Sequence, residues 1–234
     1  NYASRILIPA FKKAGCNLDT LVSKGGINGV HHGNTNGFIS TSTDISDLWN
    51  NKINTIAIVT RHDNHAQQVI ESLNNGKNVF VEKPLALTLE EIDLIEKAYN
   101  DANSSFYIRL MVGFNRRFSP HVVKMKDLLG NQASPKSIII TVNAGAIPSD
   151  HWIQDKSIGG GRIIGEGCHF VDLMRYLVGY PIETFQATMI GSSYENEVCD
   201  DKVSILLKFK DGSFGTIHYL ANGSNEYPKE RVEV

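Results

Sequence analysis

The chain has 234 residues, 41% of them hydrophobic and 21% charged, with a net charge of −2. A chain of this length buries a sizeable core and divides most naturally into two units. Its near-neutral balance gives no steering toward nucleic acid or an anionic membrane, and no apolar stretch approaches the length of a membrane span.

Cys16, Cys168 and Cys199 are odd in number, far apart and without a C-x-x-C pair. That usage argues against a disulfide framework or structural zinc site and suits a reducing cytoplasm. No signal peptide is read at the start. Both ends read as cut: Ile6, Leu7, Ala10 and Phe11 open the chain in a helical pattern without a preceding strand, and Arg231 to Val234 close it in a strand pattern without a turn.

In chain order, Leu18 to Val22 predicts a strand, and Gly25 to Gly37 reads as a Gly/Asn/His-rich loop with His31 and His32 solvated. Thr55 to Thr60, nearly all β-branched, predicts a stronger strand. Val69, Ile70 and Leu73 recur at helical spacing from His65, with Gly76 placed as the C-cap. The strand Val79-Phe80-Val81 runs into Glu82-Lys83-Pro84. Thr88 with Glu91 forms a capping box for a helix expected to bury Ile92, Ile95 and Tyr99. Phe106 to Val112 predicts the next strand. This β-α-β-α-β rhythm argues for a doubly wound parallel sheet over residues 1–112.

From residue 113 the pattern changes. Ser119-Pro120 opens a short helix that ends near Gly130. Ser137 to Val142 predicts a strand. Gly159-Gly160-Gly161 leads into a helix that buries Phe170, Leu173, Met174 and Leu177 and stops at Val178, with Gly179 as cap and Pro181 beyond. Strand patterns from Val203 to Phe209 and Ser213 to Leu220 flank Asp211-Gly212, a hairpin signal. Residues 113–234 therefore predict an α+β domain.

Two segments carry candidate chemistry. An apolar strand of a parallel sheet is buried on both faces, and open α/β sheets bind ligands at the carboxyl ends of their strands. A half-buried lysine emerging there, Lys83, suits proton transfer. The structural alternative is that Pro84 stops the strand and Lys83 reaches solvent. In the second segment, Glu166, His169 and Asp172 stand at successive i, i+3 steps, so helical geometry predicts carboxylates flanking an imidazole that acts as general base. His62 and His65 have the spacing of a metal pair but lack a third ligand, so no metal is expected. Trp152, beside His151, suits sugar stacking better than Trp49 does.

In order, Thr60 with His65, then Glu82-Lys83-Pro84, then Gly113-Phe114-Asn115-Arg116-Arg117-Phe118, then the glycine-rich helix with His169 resemble the Gfo/Idh/MocA family. The resemblance implies a Rossmann-type domain that binds NAD or NADP. It also implies a second domain with an open-faced, largely antiparallel sheet, through which such chains form homo-oligomers. It implies a cis Lys83-Pro84 bond and a small carbohydrate or polyol substrate. Asn1, Tyr2 and Ala3 match the end of a phosphate-binding glycine turn whose start is missing. The cofactor set it implies is Asn1, Tyr2, Ala3, Ser23, Lys24, Thr60, His62, His65, Glu82, Lys83 and Asn115. Where an acid after the second strand would favour NAD, this chain has Ser23-Lys24, which suits the 2′-phosphate of NADP. Many members carry an aspartate where Gly165 stands, and Glu166 is the neighbouring carboxylate.

The resulting expectation is an NAD(P)-dependent oxidoreductase with His169 as base, Lys83 stabilising the substrate oxygen, and Glu166 or Asp172 orienting His169. The alternatives are an NAD-dependent glycosidase of the same family and a non-catalytic module binding cofactor or sugar nucleotide.

Overall fold

The computed structural model describes residues 2–105, 107–130, 134–191, 198, 200–224 and 226–234. Asn1, Phe106 and Cys199, named above, lie outside the described residues. The chain forms two compact units, one of Asn1–Val59, Gln67–Val81 and Asp93–Met111, the other of Thr60–Ala66, Glu82–Ile92 and Val112–Val234.

The first unit begins with a π-turn (Ala3–Leu7) that continues as α1 (Ile8–Lys13). Strands β1 (Thr20–Val22) and β2 (Ser40–Ser42) pair in parallel. A second sheet has the order β3-β4-β5, from Thr55–Ile58, Asn78–Val81 and Leu110–Val112, with β3 and β4 parallel. Ile56, Ile58, Val79 and Val81 are buried with Val69 and Leu73 of α3 (His65–Asn74) and Ile95 of α4 (Leu89–Ser105). Lys77 is buried as well, its ammonium satisfied by the carbonyls of Asn50 (2.7 Å) and Ile53 (2.8 Å).

Two expectations fail in these elements. The Gly25–Gly37 segment is not a loop but carries helix α2 (Gly26–Asn36). Its glycines, poor helix formers in isolation, face inward: a Cβ at Gly33 would come within 2.2 Å of Thr41 Cγ2, and one at Gly29 within 3.2 Å of Ser23 Cβ. Tertiary approach to β1 and β2 thus overrides propensity. Ile92 is exposed, because only Ile95 and Ala98 of α4 turn to the core, while Tyr99 is half-buried. The capping box itself forms: the Glu91 amide donates to Thr88 Oγ1 (3.2 Å), and the Glu91 carboxylate accepts from the amides of Leu87 (2.7 Å) and Thr88 (3.3 Å).

The second unit is built on a five-stranded sheet in the order β10-β6-β9-β8-β7. Its strands are β6 (Ser137–Asn143), β7 (Ile182–Met189), β8 (Lys202–Phe209), β9 (Phe214–Leu220) and β10 (Glu230–Glu233). The β6–β9 pair is parallel and the other three are antiparallel. Alternation along β6 and β9 buries Ile138, Ile140, Val142, Ile217 and Tyr219 on one face. Helices α5 (Pro120–Leu129) and α6 (Cys168–Val178) contribute Val122, Phe170, Leu173, Met174 and Leu177 to the same core. Helix α5 starts, and both helices stop, as their sequence signals predict, whereas α6 begins only at Cys168, after a π-turn over Ile163–Gly167. Ser119 accepts from the Val122 amide (3.4 Å), and Gly179 closes α6 in the left-handed region at φ +87°. The opposite face leaves Ile139, Leu206 and Phe214 exposed. No helix among the described residues is long and apolar enough to cross a membrane.

Helix α6 lies close on the sheet because β9 offers it a glycine. A Cβ on Gly215 would come within 2.6 Å of Met174 Sδ and 2.7 Å of the Ile138 carbonyl oxygen. The side chain can shift but the neighbouring strand cannot. Gly215→Ala is therefore expected to destabilise the protein by about 1–3 kcal/mol, as overpacking does. Urea titration should show a lowered midpoint with an unchanged slope.

A candidate active site in the second unit

Val81 is fully buried, and the chain leaves β4 through Glu82 and Lys83 into a cis Lys83–Pro84 bond. The Lys83 ammonium donates to the main-chain carbonyl of Gly165, and no carboxylate pairs with it among the described residues. Glu82 packs against Gly113, where a Cβ would lie 3.0 Å from Oε1. Burial raises the Glu82 carboxyl above its ordinary pKa, while Lys83 pulls it down. His65 is buried, with Nδ1 2.7 Å from the Pro84 carbonyl and Nε2 3.2 Å from that of Thr60.

The glycine run forms a turn that admits no side chains. Gly160 and Gly161 have φ of +75° and +79°, and a Cβ at Gly159 would collide with the Ile153 backbone at 2.3 Å. The Gly159 carbonyl accepts from Nδ1 of His62 at 2.8 Å, which requires the proton on that nitrogen. The segment Ile163–Gly167 then takes a π-turn before α6 begins, a departure frequent at functional sites. That turn presents the Gly165 carbonyl to Lys83.

His169 sits on the first turn of α6, 4% exposed, with the Phe114 ring 6.0 Å from its own. Its Nδ1 is buried and has no partner among the described residues. Burial, reinforced by the charges of Arg116 and Lys83, pushes the imidazole down to about 3, so it is neutral at ordinary pH.

The flanking carboxylates do not orient it. Glu166 accepts from Tyr219 Oη (2.6 Å) and Arg162 Nη2 (2.8 Å), with Lys229 Nζ 3.4 Å from its other oxygen. Asp172 takes the Arg117 fork, with Nε at 2.6 Å and Nη2 on the second oxygen. Neither bonds to His169. The i, i+3 argument assumed a regular α-helix, but Glu166 lies in the π-turn, which rotates it toward β9. Arg162 and Tyr219 were missed by sequence reasoning. Their signals were an arginine four residues before Glu166, directly after the glycines, and a tyrosine on the inward positions of β9.

Of the other cofactor candidates, Thr60 and Asn115 are exposed within this unit. Tyr2, Ala3, Ser23 and Lys24 belong to the first unit, with Lys24 exposed and the Ser23 amide donating to the Ser42 carbonyl (3.0 Å) at the carboxyl end of β1. Trp152 stands edge to face with His62, ring centroids 4.9 Å apart, under the Arg61 guanidinium at 5.6 Å.

Burial alone would raise the Glu166 carboxyl, but Tyr219, Arg162 and Lys229 outweigh it and hold it at about 2. A folded pKa below the ordinary value of 4.5 gives stability that is present above pH 4.5 and lost as pH falls toward 2. The shift corresponds to roughly 3 kcal/mol. Glu166→Gln should lower stability at pH 7 and flatten its fall across that acid window, as measured by urea titrations at several pH values.

Comparison with known proteins places this geometry. A family model described as "Oxidoreductase family, NAD-binding Rossmann fold" matches residues 20–109, and one described as "GFO/IDH/MocA C-terminal domain" matches residues 132–234. A myo-inositol 2-dehydrogenase of Thermotoga maritima is 28% identical over 189 residues, covering 78% of this chain and 54% of its own length. A levoglucosan dehydrogenase of Pseudarthrobacter phenanthrenivorans is 28% identical over 222 residues, covering 82% and 56%. Among solved structures, a levoglucosan dehydrogenase in complex with NADH superposes with a TM-score of 0.77 at 26% identity, over 92% of this chain and 60% of that one. A probable dehydrogenase from Thermotoga maritima shares the fold, with a TM-score of 0.78 at 24% identity over 93% and 66%. The chain spans about half the length of the curated relatives it matches.

Proposed function

The chain belongs to the Gfo/Idh/MocA family, and from that premise we propose that the whole protein is an NAD(P)-dependent oxidoreductase acting on a sugar, sugar derivative or polyol. The observation that carries this reading is a neutral, buried imidazole, His169, whose Nδ1 has no partner among the described residues, in the field of an ammonium that among them bonds a peptide carbonyl and no carboxylate. A buried polar atom without a partner calls for an explanation. His62 and His65 have their Nδ1 atoms anchored on carbonyls, and His169 does not.

When bound, the nicotinamide ring supplies the acceptor for hydride. The chain's residues do the rest. Lys83 holds the substrate hydroxyl oxygen and favours its negative charge. His169, already neutral, takes the hydroxyl proton. Burial, with Arg116 and Lys83, disfavours the imidazolium, so His169 gives that proton up to solvent water and returns to its neutral form. Glu166 and Asp172 act at a distance, fixing the π-turn and α6 through Arg162, Tyr219 and Arg117.

The half-buried Ser23 and exposed Lys24 at a parallel strand's carboxyl end fit the chemistry of a dinucleotide's ribose and phosphate. We assign residues 1–112 to dinucleotide binding, with Tyr2, Ala3, Ser23 and Lys24 of the first unit toward its phosphates and ribose. Residues 113–234 then hold substrate. The exposed Ile139, Leu206 and Phe214 on the open sheet face support a homo-oligomer, and the cysteine usage supports a cytoplasmic setting.

In the intact protein, His169→Ala should lower turnover by at least 100-fold, the scale of general-base catalysis, and leave NAD(P)H affinity nearly unchanged. Equal loss of both would remove His169 as base. Glycoside cleavage without net nicotinamide reduction would move the assignment to the glycosidase reading. For the cofactor, Ser23-Lys24 predicts that NADPH binds at least as tightly as NADH. Fluorescence titration of both decides it, and a clear preference for NADH refutes the ribose argument.

A further inference from the structure

Three histidines, His62, His65 and His169, feel the charge of Lys83, and each is bonded differently. Both nitrogens of His65 face main-chain carbonyls, so that ring ties two strand ends together. His169 is the base proposed above. His62 does neither. Its Nδ1–H is spent on the Gly159 carbonyl, which leaves Nε2 as a lone-pair acceptor. No described residue donates to it.

The ring that carries this acceptor is held firmly. It is 8% exposed and meets the Trp152 ring edge to face at 4.9 Å and 71°. Its Cε1 lies 3.1 Å from where a Cβ on Gly165 would stand, so the ring occupies room that only a glycine leaves. The carbonyl of that same Gly165 receives the Lys83 ammonium. Burial and the nearby Lys83 charge keep the imidazole neutral, the state in which Nε2 accepts.

A fixed, neutral acceptor beside a fixed donor reads a pair of hydroxyls. We propose that His62 is a specificity residue whose Nε2 accepts a hydrogen bond from the hydroxyl next to the one held by Lys83 and His169, so that the site selects a vicinal diol over a lone alcohol. The assignment rests on the oxidoreductase reading above and adds to it a reason why polyols are taken.

The test pairs a substrate change with a protein change. From a panel of pyranoses and cyclitols, the polyol that the intact protein oxidises fastest is compared with its analogue lacking the neighbouring hydroxyl. The wild type should favour the diol in kcat/KM by about 100-fold, the upper end of what leaving a single buried acceptor unpaired costs. His62→Asn keeps a donor for the Gly159 carbonyl and removes the Nε2 acceptor. It should reduce the preference to about threefold or less, mainly through loss on the diol. His62→Gln, whose longer side chain returns an acceptor near that place, should recover part of it. A purely structural role would lower both substrates together and leave the ratio intact, which would overturn the proposal. So would a His62→Asn effect confined to NAD(P)H affinity. Turnover of no polyol in the panel would remove the oxidoreductase reading itself, whereas turnover with an unchanged ratio would remove only His62.

Discussion

An ammonium group withdrawn from water must be given oxygen, and at the end of β4 Lys83 is given a peptide carbonyl rather than a carboxylate. That choice sets the electrostatics around it. A carboxylate partner would cancel the charge and allow nearby imidazoles to protonate. A carbonyl satisfies the donor geometry and leaves the charge in place. His62, His65 and His169 are accordingly all held below their ordinary pKa, burial leading and Lys83 adding to it. The Cys168 thiol beside them is pushed up to about 11 by burial despite the same cation. The imidazoles around the Lys83 ammonium are thus neutral while its charge stays unpaired by any carboxylate among the described residues, a setting that favours a transient negative oxygen.

The carboxylates that a local reading would give to the base are used elsewhere. Glu166 neutralises the buried Arg162 and accepts from Tyr219, tying the π-turn to β9, and Asp172 ties α6 to Arg117. A buried arginine left without its acid would be costly, commonly about 3–5 kcal/mol, so Glu166 is not free to turn toward His169, and the buried Asp172 is held by both arms of the Arg117 fork. His169, the proposed base, is held by packing, and its Nδ1, without a partner among the described residues, is the visible consequence.

Much of this was legible before any coordinates, and the reasons differ by residue. The Thr88–Glu91 box, the Ser119 cap, the Gly179 stop and the Asp211-Gly212 hairpin are local devices, each complete within a few residues, and each forms as read. The failures are all places where a distant partner decides. Helix α2 looked like a loop because Gly29 and Gly33 lower helix propensity, yet their missing side chains are what let the helix reach β1 and β2. Ile92 fits the apolar period of α4 but has no core above it. The Glu166–His169 spacing presupposed a regular helix, and a π-turn leaves no mark in a one-dimensional pattern. Lys83 and His169 were legible as chemistry-bearing residues, but the carbonyl partner of the first and the lone nitrogen of the second are properties of the folded chain.

The glycine turn joins these observations. Gly160 and Gly161 need the positive φ, Gly159 needs the close approach to Ile153, and Gly165 leaves the room that the His62 ring fills. The turn and the start of the helix then offer two carbonyls, Gly159 to His62 and Gly165 to Lys83, so one rigid stretch of main chain positions both side chains. His169 follows four residues later on a helix fixed independently by Arg117 and by Met174 against Gly215. The proposed substrate recognition by His62 and the proposed proton transfer by His169 therefore hang on different supports. On that reading a substitution at position 62 alters which alcohols are accepted without moving His169, whereas one at Gly159 or Gly165 would disturb the stretch that anchors His62 and Lys83.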